Sequence, residues 1–565
     1  MLRRAAWICL LCAAFAAPAH AQPVEQLLPG VTLARGVQFT PHGPVAFDVI
    51  TAPRPGSDGG LYQLAPVLAH GTITGPLERV TQIEKDVSAS ATVAGINGDY
   101  TSGTDRHPAG IVVAGGALEH TPSAGRSSIG VDATGTLQVA RVRFFGTWQG
   151  TGQRRPLDGV NQQPAPGAVT LFTPAYGAKV PVVAGSAEAV LQAFPQAAPN
   201  AFLTAAVAAV GTGGGQPIPA GGAVLMADGT AAAQALQAEA PAGATVTTRL
   251  ILQPPWTGVA TALGGGPVVV RGGKPVFSSF EDFTSVQVAE RSPRAGVGQL
   301  ADGRIVLVVV DGDQPGYSSG MTAFELGQTM ARLGAVTASA VESGPDVTAA
   351  FDGQMLNRPA SGPQPVREAL LVEYFGVYAA PPPVPLLNGD PGRTVEPLSY
   401  KLVRPSTVTA QLIGPDGKPR VVQNAVQEQP GSYAPAFTSY DVEGTWKWDV
   451  QATDDLGRKS ESVQTFRYDT TLRALTAPRV AHGSAAIAFT LSRPGSVVLR
   501  VETQSGVVVR TLPPAALQPG RQSLVWDGTL PHGTRAYGGT YVAHVFATSA
   551  VGTSDLAVPF AFRRT

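Results

Sequence analysis

Ile305-Val306-Leu307-Val308-Val309-Val310-Asp311-Gly312-Asp313-Gln314-Pro315-Gly316-Tyr317-Ser318-Ser319-Gly320-Met321-Thr322 is the stretch on which the fold turns. The apolar run from Val306 to Val310 reads as a buried strand that surfaces at Asp311. The glycines and serines beyond it can bring backbone N–H groups toward an anionic ligand. Thr322 to Leu333 then reads as an amphipathic helix. It delivers the chain to a second acidic loop, Val341-Glu342-Ser343-Gly344-Pro345-Asp346-Val347-Thr348. Two strand-end acidic loops joined by one helix frame a candidate active site. The competing reading is an ordinary turn followed by an ordinary crossover helix.

Working outward, strand-like runs recur at Val45–Ile50, Ile111–Ala114, Leu137–Phe145, Val180–Val183, Thr245–Leu252 and Val268–Val270. Helical stretches are fewer, the best being Ala187–Phe194, Ala231–Ala238 and Thr322–Leu333. Residues 22–378 therefore read as one α+β domain of catalytic type with a large mixed sheet. The Ala/Gly-rich part from Gln196 to Ala244 keeps strand and helix periodicity and reads as ordered.

The N-terminus has Arg3-Arg4, an apolar run from Ala5 to Ala17, and Ala19-His20-Ala21. That is the pattern of a secretory signal peptide over residues 1–21, and it places the mature chain outside the cytoplasm. Cys9 and Cys12 are the two cysteines. Both fall inside this segment, so the mature chain is expected to lack disulfides, thiolate metal sites and cysteine nucleophiles. Lys plus Arg and Asp plus Glu balance at 40 each with no basic stripe, which argues against nucleic acid as a partner. Charged residues make up 14%, against 66 glycines and 49 prolines, a composition suited to many short strands and tight turns. No later run is long and apolar enough to span a membrane, and nothing in the sequence fixes an oligomeric state.

A Pro-rich spacer is expected over residues 379–392, starting Ala379-Ala380-Pro381-Pro382-Pro383. Beyond it, Gly444-Thr445-Trp446-Lys447-Trp448-Asp449-Val450 aligns with Gly539-Thr540-Tyr541-Val542-Ala543-His544-Val545, an offset of 95 residues (539 − 444). That is the size of one immunoglobulin-like sandwich, and alternation puts Trp446, Trp448, Val450 and Tyr541, Ala543, Val545 into two cores. Two all-β immunoglobulin-like sandwiches are expected, at 393–474 and 475–565. The second, with Val525-Trp526-Asp527-Gly528, Gly533 and Gly538-Gly539-Thr540-Tyr541, resembles the immunoglobulin-like domain of the flagellar hook-capping protein. The resemblance implies a spacer or attachment module, with Trp526 as a packing residue.

Polar chemistry concentrates in three places. Ala94-Gly95-Ile96-Asn97-Gly98-Asp99-Tyr100 ends an apolar approach in an amide and a carboxylate. Arg291-Ser292-Pro293-Arg294 puts an arginine at the mouth of a strand. The third is the Asp311 loop with its Glu342–Thr348 partner. Guanidinium beside glycine- and serine-rich backbone suits phosphate, and Asp, Glu and Asn suit a sugar. Each has a plainer alternative: a turn dipeptide at Asn97-Gly98, a surface ion pair at Arg294, a turn cap at Asp311.

The ordered set Ile96-Asn97-Gly98-Asp99-Tyr100, Leu263-Gly264-Gly265-Gly266-Pro267, Ser292-Pro293-Arg294, Val310-Asp311-Gly312 to Ser319-Gly320-Met321-Thr322, Asn357-Arg358-Pro359 and Arg367 resembles the phosphodiester glycosidase family over about residues 30–375. The resemblance implies a secreted hydrolase that cleaves a sugar-1-phosphate diester on exported or cell-surface glycans. It implies Asp311, Glu342 and Asp99 as catalytic residues, and Asn97, Arg294, Ser319, Gly320 and Thr348 as substrate-binding residues. A phosphate leaving group is a weak base and needs little proton donation, so charge stabilisation carries more of the work.

The second loop departs from the family's usual Leu-Asp-Gly-Gly-Gly-Ser-Ser-Thr. Glu342 stands for the aspartate, Pro345 removes an N–H, and Asp346 sets a negative charge beside any phosphate unless a cation bridges them. No cofactor is required by the sequence, and a divalent cation is compatible with it. The alternative expectation is a catalytically impaired carbohydrate- or phosphosugar-binding surface protein on the same fold. A purely structural surface protein is a third.

Overall fold

The computed structural model describes residues 24–381, 386–387, 398–435, 442–504, 506–530 and 533–564. The expected signal peptide, and all of the expected spacer except 379–381 and 386–387, lie outside the described residues.

Ile305–Val310 is a strand with all six residues buried. Its side chains alternate between two cores. Ile305, Leu307 and Val309 join Leu33, Ile50 and Val297; Val306, Val308 and Val310 meet Leu326 and Met330 of the helix Ala323–Arg332. Burial on both faces explains the uninterrupted apolar run. Those side chains together contribute on the order of 10 kcal/mol, an upper bound. The strand lies fifth from one edge of an eight-stranded sheet ordered Val24–Leu28, Val31–Thr40, Gly43–Ala52, Ile305–Val310, Arg294–Leu300, Ala335–Ala340, Val268–Arg271, Lys274–Pro275 when counted from the Lys274–Pro275 side. Every pairing in it is antiparallel. Parallel pairing occurs in a second eight-stranded sheet, where Gly159–Val160 runs alongside Val169–Phe172.

Ile305–Val310 and Ala335–Ala340 flank Arg294–Leu300 and run in the same direction, so their C-terminal ends emerge together beside Arg294. The connecting helix begins with a capping box: Thr322 Oγ1 accepts from Glu325 N at 3.2 Å, and Thr322 N donates to Glu325 Oε2 at 2.9 Å. Ala323, Leu326, Gly327 and Met330 form its buried stripe. The other face of the sheet packs on a five-stranded sheet that includes Thr92–Asn97 and Glu368–Tyr374, through Ile96, Leu370 and Val372. The helix Val80–Val87 covers the far side through Val80 and Ile83. The layers run helix, sheet, sheet, helix, but strands dominate the chain.

The second eight-stranded sheet has its own core, with Trp148, Leu225, Leu250 and, from the helix Thr230–Glu239, Leu236. Here three expectations are corrected. Ala187–Phe194 is not a helix: Ala187–Gln192 is a strand, with Ala187, Ala189 and Leu191 alternating into the core. Alanine's helix preference is weak and tertiary packing overrides it. Val180–Val183 forms no strand. Leu137–Phe145 divides at buried Val142 into Leu137–Arg141 and Arg143–Gln149, which pair in different sheets.

Further along, Gly444–Asp454 and Gly539–Thr548 are long strands in two separate β units. Trp446, Trp448 and Val450 lie in one core, Tyr541, Ala543 and Val545 in the other. Trp526 is fully buried against Tyr541, Phe560 and Phe562. Ala379 belongs to the first of these cores, its N–H donating to Ser462 Oγ at 3.0 Å.

Candidate active site

The strand Thr92–Asn97 ends where Ile305–Val310 and Ala335–Ala340 also end. Asn97 is fully buried and acts as a clip between the sheets. Its Nδ2 donates to Glu342 O at 2.9 Å, while its Oδ1 accepts from Thr348 N at 3.2 Å. Thr348 is buried too, and its Oγ1 donates to Asp346 O at 3.2 Å. Asn97 and Thr348 therefore shape the Glu342–Thr348 loop and bring it to the Asp99 end of the neighbouring sheet.

Asp99 is 1% exposed. Its Oδ1 pairs with Arg126 Nη2 at 2.9 Å, and its Oδ2 has no partner among the described residues. A Cβ on Gly264 would stand 2.0 Å from that Oδ2, and one on Gly110 2.8 Å, so both glycines clear room for the carboxylate. Arg126 lies over the rings of Tyr100 and Phe283, at 4.5 and 4.8 Å. Burial raises the Asp99 carboxyl, and Arg126 works against the rise. Glu368, fully buried, accepts from Asp99 N at 3.1 Å. Burial, then the Asp99 charge, pushes it up to about 8.

Glu342 is 8% exposed and is pushed up to about 9 by burial, then by Asp346, Asp99 and Glu368, with Arg106 opposing. Half-buried Asp346 is raised by burial and lowered by Arg106. Two such carboxyls cannot both ionise cheaply, so a proton stays with the pair near neutral pH. Arg106 is exposed, and its guanidinium has no hydrogen-bond partner among the described residues; its backbone carbonyl accepts from Arg367 Nε at 2.9 Å. Beside Glu342, Ser343 Oγ meets Tyr100 Oη at 3.1 Å.

The other expected residues do different work. Asp311 is buried, and both its oxygens are taken: Asn357 Nδ2 at 2.9 Å, Arg358 N at 3.2 and 3.1 Å, and Tyr317 Oη at 3.0 Å. Asn357 also donates to Val347 O, at 3.3 Å, so Asp311 braces the second loop from behind. Arg294 is 1% exposed and donates Nε, Nη1 and Nη2 to Met321 O, Gln287 O and Glu290 O, at 2.9, 2.6 and 2.7 Å. The expectation that it grips phosphate is corrected: its fork is filled by carbonyls and holds the short helix Ser285–Ala289. Gly320 has φ +73°, and a Cβ there would meet Ser292 backbone at 2.5 Å, so it serves a close crossing. Ser319 donates its N–H to Pro44 O at 2.8 Å, and its Oγ has no partner among the described residues.

The expected anion nest is likewise corrected. In the first loop the N–H groups of Asp311, Gln314, Tyr317, Ser318, Ser319 and Met321 all bond to protein carbonyls. In the second, those of Glu342, Gly344, Val347 and Thr348 bond to Gly98 O, Pro293 O, Gly344 O and Asn97 Oδ1. Buried backbone must be paired. Among the described residues, pairing leaves a ligand only the N–H groups of Gly312, Asp313, Gly316 and Gly320 in the first loop and of Ser343 and Asp346 in the second.

Sequence reasoning missed Arg106, Arg126 and Glu368. Glu368 carried a signal, a charged pair with Arg367 opening the apolar run Ala369–Val372. The arginines carried none, because Arg106, although only seven residues after Asp99 (106 − 99), and Arg126 are far in sequence from Glu342 and Asp346. Among the described residues, the group of three side chains with ligand atoms within 4.8 Å is His70, Glu78 and Asp86, not the Glu342 cluster.

Residues 197–373, which include Arg294, Asp311, Glu342 and Glu368, match the family model for phosphodiester glycosidase. Over these residues the chain is similar to that family. Residues 476–550 match the model for the FlgD Ig-like domain. Among solved structures, a hypothetical protein from Synechocystis shares the fold at 24% identity and TM-score 0.52, covering 63% of this chain. The chain spans 64% of that protein's length. A Burkholderia pseudomallei K96243 protein named as exported matches at 20% identity and TM-score 0.48, covering 58% of this chain and 74% of its own. The zebrafish N-acetylglucosamine-1-phosphodiester alpha-N-acetylglucosaminidase catalytic domain, auto-inhibited by its pro-peptide, matches at 12% identity and TM-score 0.34, covering 62% and 84%. A comparison with curated proteins finds no match. Among the described residues, no helix is long and apolar enough to cross a membrane.

Proposed function

We propose that the phosphodiester glycosidase-like domain hydrolyses a sugar-1-phosphate diester encountered outside the cytoplasm, on exported or cell-surface glycans. The observation that carries this reading is the placement of buried, proton-holding Glu342 with Asp346, Asp99 and exposed Arg106 at one strand end. In its neutral form Glu342 does not repel a phosphate and offers it an O–H, while Arg106 supplies the positive charge. Water adds to the anomeric carbon, its proton passing to Asp346. The bond from that carbon to the phosphate oxygen breaks, and the oxygen leaves with the electron pair as a phosphate monoester. Asp99, paired with Arg126 against the rise that burial imposes, offsets as its carboxylate the positive charge developing on the sugar ring. Asp311 and Arg294 act through the loops they brace.

The test is sugar release from a methyl phosphodiester of N-acetylglucosamine-1-phosphate and of other sugars. Wild type should release sugar, and Asp346→Asn or Asp99→Asn should lose roughly 10²- to 10⁴-fold. Wild-type release no faster than both variants, across the sugar series, sinks the hydrolase reading. Calorimetric binding of the diesters without turnover would instead favour the phosphosugar-binding alternative, which the loss of the Pro345 N–H motivates.

A further inference from the structure

Next to the Glu342 cluster lies an apolar cavity of about 380 Å³, lined by Val268, Val276, Phe277, Phe280, Phe283 and Val288 among others. This volume falls in the range of small-molecule sites. Two of its rim residues stand in solvent, Phe277 82% exposed and Phe280 86%. Bulky residues rarely adopt positive φ, yet Phe280 has φ +54°. Arg141 holds it there, donating to the Phe280 and Ser279 carbonyls. Folding alone gives no reason to hold a phenyl ring in water at such a backbone angle.

One residue touches both the cavity and the site. Phe283 lines it and also packs its ring 5.8 Å from Tyr100, whose hydroxyl meets Ser343. Arg126 sits over both rings at this seam, and its buried Nε has no hydrogen-bond partner among the described residues. The far wall, the helix Ser285–Ala289, is fixed by Arg294 through Gln287 O and Glu290 O. A cation at a boundary between an acid-lined site and an apolar chamber complements an amphiphile, with an anionic head on one side and an apolar tail on the other.

We infer that this cavity is the subsite for the leaving half of the substrate, and that the phosphodiester carries an apolar alkyl or prenyl chain on the side of the phosphate away from the sugar. The inference rests on the phosphodiester reading of the neighbouring cluster. It assigns Arg294 a positioning role, since the helix it holds forms one wall. A second sugar is the other occupant the same bond could present. The cavity's polar lining is Ser278, Ser279, Glu281 and Thr322. Both Glu281 oxygens and the Thr322 hydroxyl already serve Ser127 N, Val268 N and Glu325 N, which leaves a ring of hydroxyls few partners.

The experiment uses the full chain and three diesters of N-acetylglucosamine-1-phosphate, bearing methyl, decyl or mannosyl groups, below the micellar concentration of the decyl ester. The expected kcat/KM for decyl exceeds that for methyl by on the order of 30-fold. Phe277→Ser and Phe280→Ser, both at exposed positions, should cut that ratio several-fold. A decyl-to-methyl ratio near one, or a preference for the mannosyl ester, overturns the inference while leaving the hydrolase reading standing. If no diester is cleaved, the hydrolase reading fails by itself and calorimetry of the same esters decides the cavity. Tighter decyl binding that weakens in Phe280→Ser supports it, and equal affinity for decyl and methyl overturns it.

Discussion

Glu342 and Arg294 show how burial sets what a charged side chain can do. Glu342 keeps its proton to about pH 9 when folded, against an ordinary value of 4.5. Between those values the folded protein binds more protons at this residue than the unfolded chain, so its contribution makes stability fall as pH rises through that window. The slope is at most about 1.4 kcal/mol per pH unit. Glutamine cannot ionise, so the stability of Glu342→Gln relative to wild type should increase from pH 5 to pH 9 in urea denaturation; a difference that stays flat would count against a protonated Glu342. Arg294 keeps its charge among three carbonyls. Lysine cannot fork to three acceptors, and the carbonyls it abandons stay buried, so Arg294→Lys should lower stability by about 3 kcal/mol in the same assay. An unchanged midpoint would restore the phosphate-gripping role. The identities of Asn97, Asp99, Arg294, Asp311 and Glu342 were legible as a set in the sequence, but their division of labour was not. Whether an arginine meets phosphate or three carbonyls depends on loops that are adjacent only after folding.

Among the elements, the helix Ala323–Arg332 is the most self-explanatory: stripe, capping box and crossover can all be read from Thr322 to Leu333. Its cap predicts that Thr322→Ala costs about 1 kcal/mol, measured by thermal or denaturant melting, and a loss near zero would mean that tertiary packing alone fixes the helix start. Ile305–Val310 was equally legible, because burial on both faces demands an unbroken apolar run. Ala187–Gln192 was not, since alanine-rich segments carry little strand signal and only the core around Leu191 and Leu225 decides the matter. Glycine-rich loops misled in the opposite direction. Gly312 and Gly320 suggested an open anion nest, whereas each permits close approach of the Ser292–Pro293 backbone. Nothing in the composition of a loop says whether its N–H groups face a ligand or a neighbouring strand.

Across the whole molecule, one end of a double-layered β structure carries the chemistry, and two further β units follow it. Their repeat was visible as the spacing from Gly444 to Gly539, and the structure gives each copy its own tryptophan-centred core. Separate cores predict that deleting residues 472–565 leaves the thermal transition of the remaining chain unchanged; a large drop would show that the last unit supports the rest. The Asp99, Glu342 and Glu368 cluster is assembled from segments up to 269 residues apart (368 − 99), which is why its acid–base character emerges only from the fold. The central claim is that Glu342 works in its protonated form beside a bound phosphodiester. The most direct measurement is the pH dependence of sugar release from the methyl phosphodiester of N-acetylglucosamine-1-phosphate. Activity should fall as pH rises through about 9, and Glu342→Gln, which stays neutral and keeps an N–H donor, should remove that fall. Sugar release that stays level to pH 10 in wild type, or that falls through pH 9 in Glu342→Gln as well, would contradict this role.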